Sequence, residues 1–109
     1  MAYRSGEVLV DGIPAGRISE TESGYRFGYA QAYLARAGAQ AVSLTFPLRS
    51  DPYEANVLFP FFDGLIPEGW LLDIAEKTWK LHSRDRMGLL LACCEDCIGN
   101  VSIKGDTKP

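Results

Sequence analysis

The sequence predicts a small α+β domain, a mainly antiparallel sheet of about five strands packed with two to four helices. Three observations point there. The N-terminal third alternates apolar and polar residues around an Asp-Gly turn; the C-terminal half repeats apolar residues at helical spacing behind prolines; and GNVSIK returns to strand character near the end.

The elements follow in order. EVLV and AGRISE flank the turn DGIP, and Asp11-Gly12 supplies the left-handed backbone that a two-residue hairpin turn needs. YRFGY then sets Tyr25, Phe27 and Tyr29 on one face of a third strand. AQAYLARA reads as a short helix with Gly38 in the C-cap position. AVSLTF alternates Val42, Leu44 and Phe46 against Ser43 and Thr45, which predicts a fourth strand stopped by Pro47, and RSDPYEAN is expected to be a loop.

Pro60 opens a short helix through PFFDGL. Pro67 starts a longer one to about Leu81, in which Leu71, Ile74, Ala75, Thr78 and Trp79 recur at helical spacing. Ser83 and Asp85 are capping residues for a third helix, whose Met87, Leu90, Leu91 and Cys94 form an i, i+3, i+4, i+7 stripe. Val101 and Ile103 mark the last strand. Residues 1–104 read as one domain and 105–109 as a flexible tail.

With 109 residues, 47% of them hydrophobic, the chain can bury one core and is too short for two ordinary domains. A formal charge of -3 works against a phosphate-backbone partner, whose affinity comes from Lys and Arg, so no direct nucleic-acid binding is expected. Neither a signal peptide nor a membrane span is found. Cys93, Cys94 and Cys97 are an odd, clustered set rather than a disulfide framework, which suits a reducing, cytoplasmic setting.

No catalytic, metal or cofactor site emerges. Cys94-x-x-Cys97 has the spacing of half a zinc site, but the other half is missing and the one histidine, His82, stands in another element. HSRD, at 82–85, has a faint likeness to a kinase catalytic loop, yet position 90 is leucine where a metal-holding asparagine would be needed, and no phosphate-covering glycine motif exists. Asp63, Glu68, Asp73 and Glu76 read as a solvated acidic face, with Asp73 placed to pair with Lys77.

Trp70 is different. On the helix that begins at Pro67 and Glu68, the apolar arc is centred roughly 115° from Trp70, at 100° per residue. Trp79 falls mid-face and is assigned to the core. Trp70 lies at the rim, where it either lies beneath the preceding PFF segment or serves as an aromatic interface anchor.

With these residues assembled, the chain resembles the N-terminal subdomain of HipA-type serine/threonine kinase toxins. The resemblance rests on successive blocks in the same order: VLVDGIPAGRI, YRFGYAQAYL, AVSLTFPLRSDPY, PFFDGLIPEGWLLDIA and LLLACCEDCIGNVSI. The most specific is Phe62 to Gly69, similar to the family's phenylalanine followed by LLPEG; Asp96-x-x-Gly99 resembles its D-x-x-G turn. The 109 residues hold none of the nucleotide-binding and catalytic parts that follow this block in the fused kinases, so the resemblance implies the small antitoxin subunit, HipS, of the split three-component systems.

What the resemblance implies is an antitoxin without catalysis of its own, which binds a separate HipA-like kinase (HipT-type) near its nucleotide cleft. A DNA-binding HipB-type protein would complete a ternary complex. The expected contact residues are Pro67, Glu68, Gly69, Trp70 and Asp73, with Trp70 as the wedge. The alternative is a scaffold subunit that stabilises such a kinase without inhibiting it.

Overall fold

In a computed structural model, described over residues 3–66, 85–93 and 100–105, the chain forms a five-stranded antiparallel sheet with three helices among those residues. The strands are β1 (Ser5–Val10), β2 (Ile13–Glu20), β3 (Tyr25–Tyr29), β4 (Tyr53–Ala55) and β5 (Val101–Gly105). The helices are α1 (Gln31–Leu34), α2 (Pro60–Asp63) and α3 (Arg86–Cys93). The α+β class read from the sequence is the one observed. No helix of the described residues is long and apolar enough to cross a membrane.

The sheet order is β4-β3-β2-β1-β5. Its hairpin β1–β2 turns at Asp11 and Gly12, whose φ values of 52° and 79° are the left-handed pair such a turn requires. The register shifts between Val8, opposite Gly16, and Leu9, opposite Pro14, so Ala15 is the extra residue of a bulge. That bulge accommodates a proline in a central strand and frees the Ala15 carbonyl to accept the Ala30 N–H at 2.8 Å, which starts α1.

Alternation sorts the two faces of the sheet. Val8, Val10, Ile18, Phe27, Tyr29, Val101 and Ile103 point to the core, while the other face pairs Glu7 with Arg17 and Lys104 in register and joins Arg26 to Glu54 by an ion pair of 3.1 Å. Onto the core side pack Met87, Leu89 and Leu90 of α3 together with Phe62 of α2, all essentially inaccessible. Gly6 permits this approach, since a Cβ there would stand 2.6 Å from the Leu91 side chain.

The remaining core is a cluster of rings. Phe27 lies 5.1 Å from Phe46 and 5.3 Å from Phe62, Phe46 lies 5.2 Å from Phe59, and Tyr53 meets Phe46 edge-on at 5.0 Å. Such tilted and edge-to-face pairs add about 0.5–1.5 kcal/mol each beyond burial.

Three expectations need correction. Residues 41–46 are not a strand: they run through bends and a turn, because side chains take up their backbone groups and Pro47 ends the run. The fourth strand is instead Tyr53–Ala55, inside the segment expected to be a loop, where it pairs with Phe27, Arg26 and Tyr25. The helix after β3 is a single turn ending at Leu34, and Gly38 (φ 75°) belongs to a following turn closed by the Ala39 N–H on the Arg36 carbonyl at 3.3 Å.

At the start of α3 the capping residue is Asp85, whose Oδ1 accepts the Gly88 N–H at 3.1 Å. Ser83, the Pro67–Leu81 helix with Trp79, and Cys94 and Cys97 lie outside the described residues.

Candidate partner-docking surface

The residues expected to meet a partner, Pro67, Glu68, Gly69, Trp70 and Asp73, lie outside the described residues; α2 and α3 stand on either side of 67–84. On the near side, Pro60 at the first helical position starts α2, and Phe62 and Ile66 are buried at 0% and 2% exposure. Their burial follows from the sequence PFFDGLI, which brings apolar groups back to the core four residues apart.

On the far side, Asp85 is held by Arg4. The guanidinium donates to Asp85 Oδ2 and Oδ1 at 2.9 and 2.8 Å, and to Glu20 Oε1 and Oε2 at 2.9 and 2.8 Å. The Arg4 N–H adds a third bond to Glu20 Oε1 at 2.9 Å, and the Glu20 N–H returns to the Arg4 carbonyl. One planar cation thus bridges a residue of β2 and the cap of α3, which a flexible ammonium could not do with the same geometry. A second ion pair, Arg86 to Asp63 at 2.7 Å, ties α3 to α2.

The electrostatics follow from these contacts. Hydrogen bonding from Arg4 outweighs partial burial and holds the Glu20 carboxyl below the usual carboxylate range, while the same bonds to Glu20 and Asp85 raise the Arg4 guanidinium. Burial pushes the Tyr29 and Tyr25 hydroxyls up. In the Arg4 network both carboxylates are engaged by the one guanidinium, which ties β1's leading edge, β2 and α3 together. Among the described residues no group of three His, Cys, Asp or Glu side chains could hold a metal ion.

The outer face of the sheet carries an open groove of about 380 Å³ lined by Glu7, Arg17, Ser19 and Arg26 around Gly16 and Gly28. Its cations are occupied, Arg26 by Glu54 and Arg17 in part by the Ser5 hydroxyl at 3.2 Å.

The feature that sequence reading missed is Leu44. The alternation of AVSLTF places it beside Val42 and Phe46 on a buried face; in the structure Val42 and Phe46 are buried and Leu44 is 100% exposed. It sits in a turn closed by the Phe46 N–H on the Ser43 carbonyl at 3.0 Å, with the Ser43 hydroxyl accepting the Thr45 N–H at 3.2 Å. The turn is anchored from behind by the Tyr29 hydroxyl, which accepts the Val42 N–H at 2.9 Å and donates to the Phe46 carbonyl. The usable signal was Ser-x-Thr ahead of proline, since hydroxyls at such positions compete with ladder bonds.

Comparison with known proteins places this geometry. Residues 6–104 match the family model described as the HipA N-terminal domain. A protein of Haemophilus influenzae described only as uncharacterized is 34% identical over 109 residues, covering 96% of this chain and 95% of that protein. A solved structure, the N-terminal domain of HipA toxin, superposes with a TM-score of 0.74 at 31% identity, covering all of this chain and 98% of the other.

Proposed function

Because this chain belongs to the HipA N-terminal domain family, we propose that it acts by binding a separate HipA-like serine/threonine kinase toxin and neutralising it, with no catalysis of its own. The observation that carries this reading is the extent of the match: the family model described as the HipA N-terminal domain spans residues 6–104, and the superposed N-terminal domain of HipA toxin covers all of this chain. The relative in Haemophilus influenzae supports it, since a protein matched over 95% of its own length is itself of single-domain size.

In this reading the chain docks on the kinase near its nucleotide cleft. Trp70 supplies an apolar wedge, Pro67 and Gly69 set the start of its helix, and Glu68 and Asp73 meet basic groups of a phosphate site. A HipB-type protein supplies DNA recognition in a ternary complex, for which this acidic chain has no basic stripe of its own. The second reading, a scaffold subunit that stabilises the kinase, is favoured by the solved domain being named as part of the toxin itself.

Co-expression separates the two. Neutralisation predicts that cells making the kinase regain growth when this chain is present; a scaffold leaves toxicity unchanged or raises it. Within that assay Trp70→Ala should abolish rescue while shifting the fold's stability by no more than about 0.5 kcal/mol, as surface changes do. Rescue by Trp70→Ala equal to the parent's would remove Trp70 from the interface.

A further inference from the structure

A glycine stands in the middle of β3 without a reason in the fold. Gly28 lies between Phe27 and Tyr29, whose side chains point to the core, so its own side-chain direction is outward. Its backbone is not left-handed, β3 pairs with β2 without a register shift, and a Cβ at Gly28 would meet only Pro52, at an ordinary 3.6 Å. Gly16 is different, since a Cβ there would run into the Gly28 carbonyl. A glycine inside a strand weakens it, and one that no bulge or bend requires marks the close approach of a ligand or another chain.

The missing side chain leaves the floor of the open groove of about 380 Å³ on the outer face of the sheet. Its lining runs from Pro14 to Ser19 along β2 and from Arg26 to Ala30 along β3. At about 3.3 Å per residue this is roughly 13–16 Å, the length of four or five extended residues and too long for one small anion. The two ends differ in character. Pro14 and Ala30 are uncharged, whereas Arg17, Ser19 and Arg26 stand at the other end. Arg17 is opposite Gly28 and Ser19 is opposite Arg26, so the two arginines start from diagonal positions of one antiparallel pair, about 7–8 Å apart.

Both arginines are engaged, yet by partners that an incoming carboxylate can replace. Arg26 holds Glu54 at 3.1 Å, but the two side chains are 52% and 61% exposed, and so open a pair exchanges at little cost. Among its contacts Arg17 donates to the Ser5 hydroxyl at 3.2 Å, a neutral acceptor weaker than a carboxylate. Glu7, in register with Arg17, and Glu54, in register with Arg26, leave room for one added negative charge and oppose a row of them, which counts against a phosphate backbone.

We propose that this groove binds an extended acidic segment of a partner protein, one carboxylate of which is held by Arg17 and Arg26 while its small apolar residues pass over Gly28 toward Pro14 and Ala30. The site is separate from residues 67–73 and independent of the kinase-binding reading.

The test uses the full chain and a displayed library of random seven-residue peptides, selected on the parent and counter-selected on Gly28→Val. The selected peptides should carry Asp or Glu. The strongest, made synthetically, should bind Gly28→Val and Arg26→Gln at least tenfold more weakly than the parent by calorimetry, and replacing its acid by the amide should lose as much. Glu54→Gln removes the competing carboxylate and should raise affinity about two- to threefold, a gain that a purely structural Arg26 would not give. Gly28→Ala should melt no lower than the parent, because the added methyl finds room. Early melting of Gly28→Ala would give the glycine a structural cause and overturn the proposal. A selection without acidic peptides, or a selected peptide that binds Gly28→Val as well as the parent, overturns it too. So does a single-stranded oligonucleotide that binds the parent more tightly than the peptide and is lost in Gly28→Val, or self-association of the parent that the same variant abolishes, since the occupant is then a nucleic acid or a second copy.

Discussion

In the β1–β3 meander, neighbouring strands take up the backbone groups, and side chains only decide which face is buried. Between Gln40 and Phe46 the roles are exchanged. There the Tyr33 hydroxyl bonds both backbone groups of Gln40, at 2.7 and 3.1 Å, and the Tyr29 hydroxyl joins the Val42 N–H to the Phe46 carbonyl. Both regions alternate apolar and polar residues, yet one is sheet and the other is irregular chain held by two tyrosines and a ring cluster. Alternation selects side chains for burial; a strand also needs a free backbone edge beside it, and the β3 edge is already taken by Tyr53–Ala55.

The most forceful way to break this contrast is to remove a ring. Phe62 is fully buried and lies 5.3 Å from Phe27, 5.5 Å from Phe46 and 5.2 Å from Phe61. Phe62→Ala should cost about 3–5 kcal/mol in denaturant unfolding, as large aromatic deletions in cores do. A loss under about 1 kcal/mol would mean that the rings fill space without supporting the irregular region.

A smaller change sharpens the comparison. Tyr29→Phe keeps the ring, with its edge-on contact to Phe27 at 5.0 Å, and deletes only the hydroxyl. The Val42 N–H then loses its acceptor in a buried place, at a cost of about 1–3 kcal/mol. Hydrogen exchange gives the regional readout: the Val42 and Phe46 amides should lose protection, while Ile18 and Phe27, bonded within the sheet, should keep it. Uniform loss across both regions would show that the 40–46 segment and the meander open as one unit.

The same contrast explains what was legible in the sequence. β1, β2, β3 and β5 were readable because local pattern and pairing agree there: Asp11-Gly12 sets the hairpin, and Val101 and Ile103 alternate on the strand that closes beside β1. α2 and α3 were readable from Pro60 and from the spacing of Met87 and Leu90. β4 was not, since three residues after Pro52 hold no usable period and their pairing is decided by a partner some thirty positions away, Tyr25 with Ala55. Leu44 was misread for the reason that 41–46 was: its neighbours obey period two only in burial, and the turn swings the middle residue outward. The expected contact residues Pro67, Glu68, Gly69, Trp70 and Asp73 came from the family motif, and for Trp70 also from its place at the rim of the helical arc.

The smallest effect separates the two regions by acid. The β2–α3 clip depends on ionised Glu20, whose carboxyl Arg4 holds below the usual carboxylate range, whereas the Tyr29 hydroxyl bonds neutral backbone groups of Val42 and Phe46. On acidification the unfolded chain takes up a proton at Glu20 first, near the ordinary value of about 4.3, and the folded chain only at lower pH. The stabilisation is therefore fully present above that ordinary value and is lost as pH falls through the depressed folded value. Because Glu20 and Arg4 are partly exposed, at 22% and 37% of side-chain area, the amount is below about 1 kcal/mol. Melting should be followed from pH 6 to pH 3 for the parent and for Glu20→Gln, which keeps the shape of the side chain and removes its titration. The parent should start the more stable and converge on the variant as pH falls, with the Val42 amide no less protected in either protein at pH 6. Parallel curves over the whole range would show that Arg4 draws its holding power from Asp85 and that Glu20 adds nothing to the clip.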